Sequence, residues 1–123
     1  MNADRAYRNR ASGVGLSAFV DATSRVDRIC RQEVNLGDRV LVTTRNAVYS
    51  ILAIENGYYL VSGGWFDRRG ISPTRTAITG CTLGGSMINV DTLAACGLCL
   101  EFGNGVVTSR IKKIAIIRCS SAS

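Results

Sequence analysis

The chain has no histidine. This removes the side chain that most often moves protons near neutral pH, the usual partner of a nucleophilic serine or cysteine, and the commonest zinc ligand. Carboxylates do not fill the gap, because Asp67, Asp91 and Glu101 are scattered and form no pair at a spacing suited to acid–base work. No stretch approaches the roughly 20 consecutive apolar residues of a membrane-spanning helix. Proline occurs once, against thirteen glycines, a balance that suits a β-rich fold with many tight turns. Lysine is nearly missing too: the net charge of +6 comes almost wholly from arginine, with only Lys112 and Lys113 beside it. A modest arginine excess permits an anionic partner without requiring one. The expectation from these absences is a protein that is not an enzyme and uses no cofactor and no metal.

With 123 residues, 46% of them apolar and 20% charged, the chain is suited to one domain with its own core and is not disordered. Cys30, Cys81, Cys96, Cys99 and Cys119 are odd in number and several lie in apolar runs, which fits reduced thiols in a cytoplasmic protein. Arg5, Arg8 and Arg10 before Ala11–Val20 faintly resemble a secretory leader. Ser12, Gly13, Gly15 and Ser17 interrupt that region, and Asp21 follows directly, so no leader is expected.

The richest stretch is 36–62, which is predicted to form three consecutive strands. Asn56-Gly57 separates the apolar runs 48–54 and 58–62, and Asn-Gly is the preferred pair for a type I′ hairpin turn. Side chains alternate across a strand, so Val48, Ser50, Leu52 and Ile54 share one face, and Ala47, Tyr49, Ile51 and Ala53 the other. Both faces carry apolar residues, so cover is expected on each. The preceding run 38–44 should pair antiparallel with it through a turn at Thr44-Arg45-Asn46.

Residues 1–15 are polar and Arg-bearing, a flexible arm by composition. Leu16, Phe19, Val20, Thr23, Val26, Cys30 and Val34 then recur at three- and four-residue steps. That period predicts an amphipathic helix over 16–34, packed on the sheet as the missing cover. Downstream, strands are expected over 76–82 and 86–91, a single helical or 3₁₀ turn over 91–95, apolar positions Leu98, Leu100 and Phe102 on one face, a second hairpin at Gly103-Asn104-Gly105 into a strand over 106–111, and a last strand over 113–118. Residues 16–119 form the domain, and 120–123 a frayed tail.

Segment 63–75 is the least regular and holds the sole tryptophan. Trp65, Phe66, Arg68, Arg69 and Arg75 are candidate ligand-binding residues there, since aromatic and arginine side chains together can hold a base or an anion. The same residues fit a lid over an open barrel end, with the arginines in solvent. Arg110, Lys112, Lys113 and Arg118 form the densest basic patch. They suit phosphate contact, or equally a charged strand edge that resists edge-to-edge pairing. Cys96-Gly-Leu-Cys99 matches C-x-x-C, but an apolar strand follows it rather than the helix that activates redox thiols.

Gly37-Asp38-Arg39-Val40, Thr44-Arg45-Asn46-Ala47-Val48-Tyr49 and Gly80-Cys81-Thr82-Leu83-Gly84-Gly85-Ser86 resemble the pattern of a family of short bacterial mainly-β proteins with no assigned activity. The resemblance spans about residues 36–117, implies a compact β domain, and carries over no functional residue.

The expected architecture is mainly β: a small antiparallel barrel or rolled sheet of about 7–8 strands with one N-terminal helix on it. The expected function is a non-catalytic binding or assembly module acting through self-association or a protein partner, without a membrane. Nucleic-acid or other polyanion binding through 63–75 is the alternative, and thiol redox chemistry at Cys96 and Cys99 the second.

Overall fold

The structure, a computed structural model, describes residues 23–83 and 88–119. The hairpin around Asn56-Gly57 forms as its sequence requires. Strand β4 (Val48–Ala53) pairs antiparallel with β5 (Tyr59–Gly63) from Ala53 opposite Tyr59 to Tyr49 opposite Gly63. Asn56 has φ +65° and Gly57 φ +76°, and the Tyr58 amide donates to the Glu55 carbonyl at 3.3 Å. These are the paired positive φ values of a type I′ turn. Upstream, β3 (Arg39–Thr44) pairs antiparallel with β4. In the turn between them, the Thr44 hydroxyl accepts the amides of Asn46 and Ala47.

These three strands are the middle of a six-stranded sheet. On one side follows β6 (Thr74–Thr76), paired with β5; on the other lie β11 (Ile111–Ile117), paired with β3, and β1 (Thr23–Val26), paired with β11. The order β1-β11-β3-β4-β5-β6 leaves an edge at each end, so among the described residues the sheet does not close into a barrel. A second layer holds β7 (Ile78–Thr82) between β10 (Cys99–Phe102) and β8 (Ile88–Asn89), and the pair β2 (Arg28–Cys30) with β9 (Thr92–Ala95). The described residues thus contain eleven strands, several only two to four residues long, where seven or eight were expected.

The core fills the space between the layers. Val40 and Val42 from β3, Tyr49 and Ile51 from β4, Val61 from β5, and Ile114 and Ile116 from β11 meet Ile78, Leu93, Leu100 and Phe102 from the second layer. All four residues of β9 are buried, and the strand contacts β7, β10 and β11. The helical turn expected over 91–95 is therefore wrong. Thr92–Ala95 is an interior strand, and its pairing with β2 outweighs the capping tendency of Asp91.

The helix expected over 16–34 is also corrected where it can be seen; residues 16–22 lie outside the described part. Over 23–34 the chain makes β1, β2 and a 3₁₀ turn at Arg31–Glu33. The three- and four-residue spacing came from adding up short elements with different directions. Ile29, the residue of this stretch that goes fully inside at 3% exposure, is not on the predicted stripe at all. It follows that residues 23–34 do not cover the second face of β4. Tyr49, Ile51 and Ala53 are buried, whereas Ser50, Leu52 and Ile54 are half-buried and Val48 is 53% exposed.

Between β5 and β6 the chain makes one short helix, α1 (Gly64–Arg68). Its entry is sterically tight. Gly63 has φ +97°, and a Cβ there would lie 2.1 Å from the Val48 carbonyl oxygen; one on Gly64 would lie 2.3 Å from Cζ of Tyr49. Gly57 also has positive φ, yet open space surrounds it. Gly57→Ala should therefore cost about 1 kcal/mol of backbone strain. Gly63→Ala adds a clash with paired backbone and should cost clearly more, about 2 kcal/mol or above. Urea denaturation of the two variants checks that order, and equal losses would refute the packing account.

Candidate functional site

The strand pairing arranges the outward side chains of the six-stranded sheet in rows. Residues directly opposite share a face, so Ile117, Arg39, Leu52, Leu60 and Arg75 run across β11, β3, β4, β5 and β6. Beside them runs a row of Arg25, Ala115, Leu41, Ser50 and Ser62, and then Lys113, Thr43 and Val48. The floor of this face is aliphatic and half-buried. Its charges are Arg25, Arg39, Arg75 and Lys113, and no carboxylate points outward from these strands. Arg39 Nη1 donates to the Ser50 hydroxyl, and the Arg75 guanidinium lies 4.0 Å from the Tyr58 ring centroid. None of these cations forms an ion pair among the described residues. A shallow cavity of about 250 Å³ opens on this face, lined by Arg39, Leu52, Leu60, Ser62, Ser72 and Pro73.

Asp67 lies on the chain beside this cavity. Its Oδ1 accepts the Ser72 hydroxyl and, at 2.9 Å, the Gly63 amide. The Ser72 bond, then the Gly63 bond, hold its carboxyl below the ordinary value against a small opposing effect of burial.

The residues singled out in 63–75 do not form one surface. Phe66 is 0% exposed and packs into the core, its ring 5.0 Å from Phe102 and 5.2 Å from Trp65. It has no free face to offer a ligand. Trp65 is half-buried, with the Arg69 guanidinium 5.2 Å from its ring; Arg68 is exposed. Arg75 belongs instead to β6 and to the outer face. The signal that α1 turns inward was Gly63-Gly64, whose positive φ values steer the chain back over Tyr49.

The C-terminal basic patch also divides. β11 separates Arg110 from Arg118 by roughly 25 Å at strand rise. Arg118 is committed to Asp38 at 2.8 Å, while Arg110, Lys112 and Lys113 stay exposed. Between Ile111 and Lys113 the register against β3 shifts by one residue. Such a bulge lets consecutive residues leave the strand on the same side, and Lys112 and Lys113 are both exposed. Arg45, which sequence reasoning passed over, joins them: its amide donates to the Arg110 carbonyl at 3.2 Å.

All five cysteines are free. Cys96 sits in the turn after β9 and its thiol lies 3.5 Å from the Lys112 carbonyl; Cys99 opens β10. Cys81 is buried, and burial pushes its thiol up despite a lowering backbone contact at Ala95. Among the described residues no group of three or more Cys, Asp or Glu could hold a metal ion, and no helix is long and apolar enough to cross a membrane.

Comparison of the chain with protein-family models, with curated proteins and with solved structures returned no match.

Proposed function

We propose that the protein is a non-catalytic binding module and that its contact surface is the outer face of the six-stranded sheet. One observation carries this: an aliphatic floor of Leu41, Leu52, Leu60 and Ile117 set among Arg25, Arg39, Arg75 and Lys113 with no carboxylate pointing outward. A half-buried apolar floor rimmed by charge of one sign is the kind of surface on which a partner can complete the burial. Self-association face to face would bring like charges together, so a partner is favoured over a second copy of the chain. The non-catalytic half of the reading rests on the sequence, which offers no histidine and no paired carboxylates.

The test is a binding panel presented to the full chain and to a Leu41→Ser/Leu60→Ser variant: acidic and basic peptides, a single-stranded oligonucleotide and anionic vesicles. Both leucines are half-buried on the outer side, so the variant should stay folded and lose about 1–2 kcal/mol. Whatever the wild type retains, the variant should retain at least about tenfold less tightly. Equal retention by both would reject the face as the contact surface.

A second reading has its own observation. Arg45, Arg110, Lys112 and Lys113 come together at one end of the sheet, a cluster suited to a polyanion backbone. It predicts oligonucleotide binding that weakens steeply with salt and with Lys112→Glu, and is indifferent to Leu60→Ser.

A further inference from the structure

The shape and charge of the outer face also say what kind of partner fits it; this step rests on the reading of that face as the contact surface. We infer that its occupant is an acidic amphipathic helical segment of a partner protein, one carboxylate of which reaches Arg39.

Size comes first. Six strands spaced about 4.8 Å apart span about 24 Å, and the outward rows run about 17 Å along the strands. That is about 400 Å², roughly half of what each partner gives to a standard protein–protein interface. A folded domain would be poorly served by so small a patch. A helix about 10 Å wide and ~16 residues long crosses it from end to end.

The distribution of charge agrees. Arg25 and Lys113 stand toward the β1–β11 side and Arg75 on β6 at the opposite edge, with the leucines between. A helix with an apolar stripe flanked by Glu or Asp would lay the stripe on Leu41, Leu52 and Leu60 and its carboxylates beside those cations. Arg39 lies mid-face on the wall of the 250 Å³ cavity. Its guanidinium has five N–H donors, and Ser50 is its hydrogen-bond partner. A half-buried guanidinium with donors to spare calls for an acceptor, and the cavity beside it has room for one carboxylate side chain over the Leu52 and Leu60 methyls. Asp67, which accepts the hydroxyl of the lining residue Ser72, is already engaged by Ser72 and Gly63.

Nucleic acid fits less well. Bases bind open surfaces by stacking on aromatic rings, and no outward strand side chain here is aromatic. Tyr58, at the edge, already carries Arg75.

The experiment uses the full chain and a fluorescent, end-capped peptide of ~16 residues with leucines at helical i, i+3, i+4, i+7 spacing and glutamates on both flanks. A matched peptide with lysine for glutamate, a single-stranded oligonucleotide of similar length and anionic vesicles serve as competitors. Fluorescence anisotropy should show the acidic peptide binding and the basic one not. Affinity should fall at least about tenfold with Arg39→Glu, with Lys113→Glu and with Leu60→Ser, and severalfold on raising the salt. Lys113 is exposed, so its variant keeps the test valid if Arg39→Glu folds poorly. Equal binding of the basic peptide, or an acidic-peptide affinity unmoved by both charge reversals, would overturn the inference. Tighter binding of the oligonucleotide or the vesicles, lost in Leu60→Ser, would overturn the occupant and leave the face standing. No peptide binding at all would also overturn the occupant, and the leucine double variant in the wider panel then decides the face by itself.

Discussion

Phe66→Ala is expected to destabilise the protein by about 3–5 kcal/mol, enough to unfold a large fraction of a domain whose total stability is of the order of 5–15 kcal/mol. Phe66 is wholly buried, and three rings surround it: Tyr49 at 6.3 Å, Trp65 at 5.2 Å and Phe102 at 5.0 Å between centroids. All three contacts are edge-on, with interplanar angles of 87–89°, and such pairs add about 0.5–1.5 kcal/mol beyond area burial. The cavity left behind cannot collapse easily. Tyr49 is held by its strand and by a hydrogen bond at 3.3 Å between its hydroxyl and the Trp65 amide, and Phe102 is paired across β7. Urea denaturation followed by far-ultraviolet circular dichroism gives the number. Trp65→Ala, at a half-buried position, should cost clearly less. A Phe66→Ala loss below that of Trp65→Ala would mean that α1 does not pack inward.

The second large effect is at Asp38, a carboxylate 2% exposed. Its oxygens accept the amides of Asn35 at 2.9 Å and Cys119 at 2.8 Å, and Arg118 Nη1 at 2.8 Å. Asp38 thereby ties the chain after β11 to the turn before β3. Burial by itself would raise its pKa. The Cys119 and Asn35 amides, the Arg118 bond and the Arg118 charge outweigh it, and the net result is a carboxyl below its ordinary value. The sign of the pH effect follows from linkage. A folded-state pKa below the unfolded one, about 3.9, gives stability that is fully present above that pH and lost as pH falls through the folded value. Asp38→Asn should cost about 2–3 kcal/mol near neutrality, because an amide places its own N–H groups where three donors already converge. Arg118 is 49% exposed and can return to water, which keeps the loss from being larger. Unfolding midpoints measured from about pH 6 down to pH 2.5 should fall steeply for the wild type below about pH 4 and less steeply for Asp38→Asn. Asp67 contributes with the same sign but is exposed, so an Asp67→Asn control isolates Asp38. Parallel curves for wild type and Asp38→Asn would refute this role.

How far the fold could be read from the sequence depended on whether the signal was local. Asn56-Gly57 carries its own φ requirement, so the β4–β5 hairpin was legible, whereas the choice of Tyr49, Ile51 and Ala53 as the inward face was not, because both faces of that strand are apolar. Leu100 and Phe102 alternate inward as their spacing implies. The segment 23–34 was not legible, because its partners are remote: Thr23 meets Ile117, and Ile29 meets Ala94. Nothing within a window of a dozen residues reports such pairings. For the same reason β9 was missed, since four small or apolar residues after Asp91 suit a helical turn until β2 is brought beside them. The outer face was invisible as a unit. Arg25, Arg39, Arg75 and Lys113 are far apart along the chain, and only the register puts them on one surface. Phe66 stood as a ligand candidate beside the lid reading because the Gly63-Gly64 pair marks a turn without fixing its direction, and the positive φ values that send the chain inward belong to the folded backbone.

The position of β11 has a kinetic consequence. It lies between β1 and β3, yet it follows every other strand of the sheet in the chain. During synthesis, β3, β4, β5 and β6 can assemble as a meander while β1 waits with no neighbour to join. Until β11 emerges, one flank of β3 stays open to pairing with another nascent chain. Completing the sheet also requires closing a loop of most of the described chain, between β1 and β11, which is a slow, entropically costly step. Slow translation upstream of β11 would therefore lengthen the interval in which this protein is prone to aggregate, without altering the stability of the finished fold.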